Sequence, residues 1–450
     1  MNKISRQKIK QLFSQECATF DAAHPQSKKL SQRATEHLMF GVPMHWMNDW
    51  STPFNLYVQS ASGATLTDVD GHTLTDFCLG DTGAMFGHSP APVASALREQ
   101  ASNGYTTMLP TENAVWVAEE LARRFGLPFW QFAMTATDAN RFVLRWVRAA
   151  TQRKKILVFN GCYHGTVDDV FVDLVDGQPQ QRDSLLGQVY DLTQHTVVIE
   201  FNDLAALETA LAKDDIACVI AEPVMTNIGM VLPQAGFWEA AQQIIRRHNT
   251  MLVMDETHTI SSGPGGYARA NRIDADAIVI GKPIGGGVPC AVYGFNASLA
   301  ERAQTAKQRA APGHSGIGTT LSANMLAVSA MRATLEHVMT DAAYAQMFVL
   351  AEKLAGGLRD VIAKYSLPWC VTQVGARVEF QFSSKPPTNG TEAANMFDHP
   401  LERMLHLYLL NRGILITPFH NMMLVCAETT SANISELLEA FDLCLAEITN

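Results

Sequence analysis

A lysine follows the strand-like run Ala277 to Gly281 and opens the segment Gly281-Lys282-Pro283-Ile284-Gly285-Gly286-Gly287-Val288-Pro289. A lysine at the end of a buried strand is partly desolvated. Desolvation disfavours the ammonium form and frees the amine to attack a carbonyl. The glycines that follow let backbone pass close to a flat ligand. Taken alone, the run also suits a surface lysine ahead of a glycine turn. Upstream lies Leu252-Val253-Met254-Asp255-Glu256-Thr257-His258, four apolar residues leading to an acid. A buried carboxylate there can keep a pyridine nitrogen protonated, and that proton makes the ring an electron sink. A helix N-cap aspartate is the plainer alternative. Asp255 precedes Lys282 by 27 residues, the length of a strand–helix–strand unit, so both side chains can face one pocket. Glu256 and His258 read as supporting groups rather than catalytic ones.

Three further segments follow apolar runs. Thr135-Ala136-Thr137-Asp138-Ala139-Asn140 opens a helical pattern through Ala150. Its first N–H groups and hydroxyls suit a phosphate, although a simple Thr/Asp cap looks the same without a ligand. Asn160-Gly161-Cys162-Tyr163-His164-Gly165 offers an aromatic face for stacking, or a core tyrosine. In Ala221-Glu222-Pro223-Val224-Met225-Thr226-Asn227, polar groups again follow a buried run. No His/Asp/Glu set at metal-ligand spacing stands out, and no metal is expected. Each signal is modest alone. The order of helix start, aromatic, Glu-Pro, Asp and Lys-Pro-x-Gly-Gly-Gly is hard to produce by chance.

These segments need a scaffold. From about residue 90 to 300, runs such as Lys155 to Asn160, Thr196 to Phe201, Ile216 to Ala221 and Met251 to Asp255 alternate with helical patterns such as Leu204 to Lys213 and Phe237 to His248. That alternation predicts an α/β fold with a mostly parallel sheet sandwiched by helices, and ligands at the carboxyl ends of its strands. Residues 57 to 80 alternate like strands around a turn at Asp70-Gly71, and 320 to 365 read as long helices. The expected division is a helical arm and loop over 1–56, a large domain over 57–325, and a smaller α+β domain over 326–450. The 450 residues are 47% hydrophobic and 17% charged, enough to bury a substantial core. A formal charge of -10 argues against a nucleic-acid or anionic-membrane surface. The eight scattered cysteines form no CxxC pair and read as reduced thiols of a cytoplasmic protein. No run is long enough to span a bilayer.

The ordered set resembles the class III aminotransferases of fold type I, and within them the glutamate-1-semialdehyde aminomutase branch. The resemblance covers nearly the whole chain. It includes Gly63 to Gly71, Gly87-His88-Ser89-Pro90, Pro110-Thr111-Glu112 and Thr319 to Asn324. The run from Glu222-Pro223-Val224 to Gly236-Phe237 looks especially like the aminomutases. The resemblance implies pyridoxal 5'-phosphate as cofactor, with Lys282 as its Schiff-base partner and proton shuttle and Asp255 at the pyridine nitrogen. It also implies Tyr163 and Thr257 on the two ring faces, and Thr135, Ala136 and Thr137 at the phosphate. Glu222 and Asn227 would lie beside the cofactor. Thr320 would reach the phosphate of a neighbouring subunit, hence a homodimer with shared active sites.

The sequence also departs from that pattern. Ala136 stands where the phosphate loop usually has glycine. After Asp255-Glu256 the family usually continues Val-Met-Thr, whereas this chain has Thr257-His258-Thr259 before the glycine-rich Gly263 to Gly266. Aminomutases carry an arginine after a Gly-Val that grips a substrate carboxylate. Here Gly41-Val42 is followed by Pro43-Met44-His45-Trp46-Met47, without one. A bidentate clamp cannot be replaced by Met or Trp. Trp46 and Met47 therefore suggest an apolar entrance suited to a hydrophobic amine or β-amino acid. Arg377 is a second carboxylate clamp candidate, with a solvent-facing arginine as its plainer alternative. The favoured expectation is an aminotransferase acting through a Lys282 aldimine on a small-molecule donor and acceptor. The alternative is a 1,2-aminomutase of the glutamate-1-semialdehyde type, or a racemase.

Overall fold

A computed structural model describes residues 4–449. The chain divides into two compact units. One is built from residues up to Pro90, from Ala345–Pro386 and from Met396 onward; the other from Ala91–Tyr344 and Pro387–Asn395.

The larger unit contains a seven-stranded sheet in the order Phe129–Ala133, Ala291–Phe295, Ala277–Ile280, Met251–Asp255, Ile216–Ala221, Lys155–Phe159, Thr196–Ile199. The last five run parallel. Ala291–Phe295 pairs antiparallel with both of its neighbours. Every residue of Ile216–Ala221 and Met251–Asp255 is buried, as expected of parallel strands covered on both faces. The helix Ala136–Thr151 begins where Thr135 Oγ1 accepts from the Asp138 N–H. It packs Ala139, Phe142, Val143, Leu144 and Val147 against the sheet. Leu204–Leu211 and Phe237–Arg247 form two of the crossovers. At the edge where the parallel strands begin, the Arg153 guanidinium donates to the carbonyls of Ile216 (3.1 Å), His248 (3.0 Å) and Asn249 (3.3 Å). It thereby ties the start of one parallel strand to the loop that precedes the next.

The other unit holds a four-stranded sheet, Val58–Ser62, Thr65–Asp68, Thr73–Asp76 and Ile414–Leu415. It also holds a three-stranded sheet of Cys370–Val374, Arg377–Gln381 and Met422–Leu424. Helix Arg6–Ala23 buries Ile9, Leu12 and Phe20. The expected boundaries move for a physical reason. Thr75 and Asp76 pair in parallel with Ile414 and Leu415, so residues 57–90 belong with the C-terminal segments rather than with the large sheet. Helix Met325–Ala333 stays with the large unit, where Ala330 and Ala333 pack on Val93.

This unit also corrects two sequence expectations. Arg377, a carboxylate-clamp candidate whose plainer alternative was a solvent-facing arginine, is 1% exposed, which removes that alternative, and its Nη2 donates to Thr82 Oγ1 at 2.5 Å. His24, Asp68 and His72 bring three ligand-type atoms within 4.8 Å of one another, a grouping that their sequence spacing conceals. Hydrogen bonds account for this cluster. His72 Nδ1 lies 2.9 Å from Asp68 Oδ2, the other Asp68 oxygen accepts two backbone N–H groups, and His24 Nδ1 donates to the Phe20 carbonyl. All eight cysteines are free. Among the described residues, no helix is long and apolar enough to cross a membrane.

Candidate active site

The carboxyl ends of the parallel strands and the start of helix Ala136–Thr151 are packed too closely for added atoms. A Cβ placed on Gly281 would lie 2.7 Å from the Ala136 Cβ, so the backbone just before Lys282 abuts the helix's first turn. A Cβ on Gly165, at φ +79, would lie 2.2 Å from Thr137 Oγ1. That hydroxyl accepts from the Thr166 N–H at 3.1 Å. The helix start, the loop after Tyr163 and the lysine-bearing strand end are thus held together by contact. The helix opens with first-turn N–H groups that have no intrahelical carbonyl partner and with two threonine hydroxyls beside them, the arrangement that receives an anion.

Asp255 ends its strand with a buried carboxylate that accepts three hydrogen bonds: from Asn140 Nδ2 at 2.8 Å, His164 Nδ1 at 3.0 Å and the Thr257 N–H at 3.1 Å. Burial opposes charge on both Asp255 and His164, but the bond between them outweighs it. Asp255 is held well below the usual carboxylate range, and His164 well above the usual imidazole range. A fixed anion with a fixed cation behind it therefore faces the strand ends. Asn140 also donates to the His164 carbonyl at 3.0 Å, tying the helix to this pair. Burial pushes the Glu222 carboxyl up to about 7, against the pull of His164 and of its bonds from Thr226.

Lys282 sits beyond Ala277–Ile280, the strand paired in parallel with Met251–Asp255. It is half-buried, with φ 44, a left-handed backbone that costs a non-glycine residue about 1–2 kcal/mol. Gly281 N–H donates to Thr257 Oγ1 at 3.2 Å, and the Lys282 Nζ lies 2.9 Å from His258 Nε2. Sequence-selected residues Thr135, Ala136, Thr137, Tyr163, Glu222, Asn227, Asp255, Thr257 and Lys282 all fall in this unit. Tyr163 precedes His164 and is 37% exposed, so its ring is available to a ligand. Asn227 Nδ2 donates to the Gly161 carbonyl at 3.4 Å, in the same turn. Thr320 is exposed on a separate loop, and Trp46, Met47 and Arg377 belong to the other unit. Sequence reasoning gave no site role to Asn140 or His164 and read His258 as a supporting group. Adjacency to Tyr163 and Asp255 was the only signal they offered.

A family model for class-III aminotransferases matches residues 46–445. The chain belongs to the class-III aminotransferases. A glutamate-1-semialdehyde 2,1-aminomutase from Neisseria meningitidis is 32% identical over 80% of this chain and 84% of its own length. The crystal structure of a glutamate-1-semialdehyde aminomutase from Pseudomonas aeruginosa PAO1 superposes with a TM-score of 0.97. It is 45% identical and covers 99% of this chain and 100% of that one. A second structure of such an aminomutase from that organism, with a lysine changed to alanine, is a complex with PMP. A β-phenylalanine aminotransferase from Variovorax paradoxus shares the fold, with a TM-score of 0.87 at 24% identity over 97% of each chain. This class-III member has the α/β architecture of fold type I enzymes, with its large parallel sheet carrying the site.

Proposed function

We propose that this class-III enzyme moves an amino group between adjacent carbons of a single small substrate, as a 1,2-aminomutase of the glutamate-1-semialdehyde type. The carrying observation is the likeness to the Pseudomonas aminomutase across the whole length of both chains. This reverses the order suggested by the loop sequence, in which transfer to a second molecule came first.

Pyridoxal 5'-phosphate is the cofactor. The donor set fits it: a helix start for the phosphate, a buried anion for the ring nitrogen and a primary amine for the aldehyde. When bound, it supplies an aldehyde that takes up amines and a ring that accepts electrons released at carbon. The remaining work belongs to the chain. Asp255, ionised through its bonds from His164 and Asn140, would hold a proton on the ring nitrogen of the bound cofactor. Lys282 presents the amine that accepts a proton from one substrate carbon and returns it to another. The first turn of Ala136–Thr151, with Thr135 and Thr137, holds the phosphate. Tyr163 and Thr257 would flank the ring, with Glu222 and Asn227 beside it. Thr320, exposed here, reaches the site of a second copy in a homodimer.

The loop Pro43 to Met47 favours a second reading, transfer between two molecules. It lacks an arginine, and its Trp46 ring packs edge-on against exposed Phe419 at 6.3 Å. The two readings separate by mass balance. Holoenzyme is mixed with glutamate 1-semialdehyde carrying nitrogen-15, without other acceptors. Catalytic isomerisation with the label retained supports the mutase. Stoichiometric release of a ketone, with turnover only when a second carbonyl is added, refutes it in favour of the transferase.

A further inference from the structure

The fold brings the His258 imidazole to the lysine amine: Nε2 lies 2.9 Å from Nζ. Both ends of the contact are anchored. The backbone after His258 enters the short helix Thr259–Ser262, whose Thr259 hydroxyl donates to buried Glu256 at 2.5 Å. Tyr344 caps the Ile260 carbonyl at 3.0 Å. On the other side, Gly281 is fixed to Thr257, and Lys282 holds its left-handed turn.

The chemistry of the two nitrogens limits how they can meet. An ammonium only donates, and an imidazole nitrogen accepts only when bare. The contact therefore favours an imidazole protonated at Nδ1, with its Nε2 lone pair toward Lys282. In that form it accepts one N–H from the lysine whether the amine is charged or neutral. The lone pair of the neutral amine stays free for another partner. A protonated imidazole would turn a donor toward the ammonium and push it away, whereas it can donate to the neutral amine.

We propose that His258 is a positioning residue for Lys282: the neutral imidazole accepts from Nζ, sets the direction of the amine and takes the proton the ammonium must lose. One proton passes from Nζ to Nε2, and one positive charge passes with it. The role rests on Lys282 being the reacting amine; the contact does not. Among the described residues, other ionisable groups at these strand ends include Asp255, Glu222, Glu256, His164 and Tyr163, so the assignment to His258 is made by substitution.

The first arm uses apoprotein. Diethyl pyrocarbonate modifies neutral imidazole, and peptide mass mapping follows His258 across pH 5–9 in wild type and Lys282→Met. An ammonium at 2.9 Å disfavours imidazole protonation. Its removal is expected to raise the midpoint of His258 modification by about one pH unit. The second arm uses holoenzyme. His258→Gln keeps an acceptor without a titration. It should lose the acid limb of the kcat profile while retaining kcat at high pH within about threefold, whereas His258→Leu loses about tenfold or more. His258→Gln carries this arm alone if the leucine variant fails to fold. An unmoved modification midpoint, or an acid limb that persists in His258→Gln, overturns the proposal. A moved midpoint with native turnover in Lys282→Met leaves the contact standing and removes Lys282, and with it the role of His258, from the reaction.

Discussion

Asp255→Asn tests the buried ion pair behind the site without reference to the cofactor. The carboxylate lies 3.0 Å from His164 Nδ1, and both groups are buried. At an effective dielectric of about 20, that separation corresponds to about 5 kcal/mol of attraction. Removing one partner of a buried pair typically costs about 3–5 kcal/mol. The amide adds a second fault. With its oxygen facing Asn140 and His164, its NH2 faces the Thr257 N–H, donor against donor. One escape is open: His164 sheds its proton rather than remain a lone buried cation. The net loss should settle at about 3 kcal/mol, a fall of about 3–6 °C in the apoprotein melting temperature at pH 6.

The pH dependence carries the stricter test. The folded-state pKa of His164 lies above its ordinary 6.5, raised to about 10. The stability it contributes is therefore fully present below about 6.5 and lost as pH rises through about 10. A variant whose His164 is already neutral has nothing to lose in that window. Calorimetry of apoprotein should show the wild-type advantage shrinking steadily from pH 6.5 to 10. A constant advantage across that range would refute the charged pair, even if the variant were less stable throughout.

Other substitutions separate the parts of the site. Lys282→Ala should abolish turnover, more than about a thousandfold, and leave the cofactor removable by gel filtration; near-native turnover would end its assignment as the reacting amine. Gly165→Ala forces a Cβ to within 2.2 Å of Thr137 Oγ1 at φ +79. It should weaken cofactor binding about tenfold or more by fluorescence titration while the far-ultraviolet circular dichroism is unchanged. Glu222→Gln can keep both bonds to Thr226, because the hydroxyl can accept from an amide. With Glu222 raised from 4.5 to about 7, the stability of its neutral form is present below about 4.5 and lost as pH rises through about 7. The glutamine variant should match wild type at pH 5 and exceed it by about 1–3 kcal/mol at pH 8.5 in urea unfolding.

The strand ends that carry Asp255 and Lys282 were legible because fully buried parallel strands leave unbroken apolar runs. Ile216–Ala221 and Met251–Asp255 are visible as such in the sequence. The start of Ala136–Thr151 was legible from its threonine cap. The partners of those residues were not. His164 and Asp255 are separated by 91 residues, and no local pattern records that their side chains meet. His258 was read as a supporting group, but its partner was not legible because the contact with Lys282 is made across a parallel strand pair. Arg377 misled because a lone arginine in a strand gives no sign of which face is covered. The first domain boundary misled because the pairing of Thr75 with Ile414 spans most of the chain.

The sheet divides its labour between its two rims. Asp255 ends one parallel strand and Lys282 follows its neighbour, while Arg153 gathers the carbonyls at the opposite rim, where those strands begin. A designer can therefore use the Arg153 side as a stability dial, stiffening or loosening its loops without altering the machinery. Reporter tags or tethers belong on that rim too, where a graft perturbs melting before it perturbs turnover.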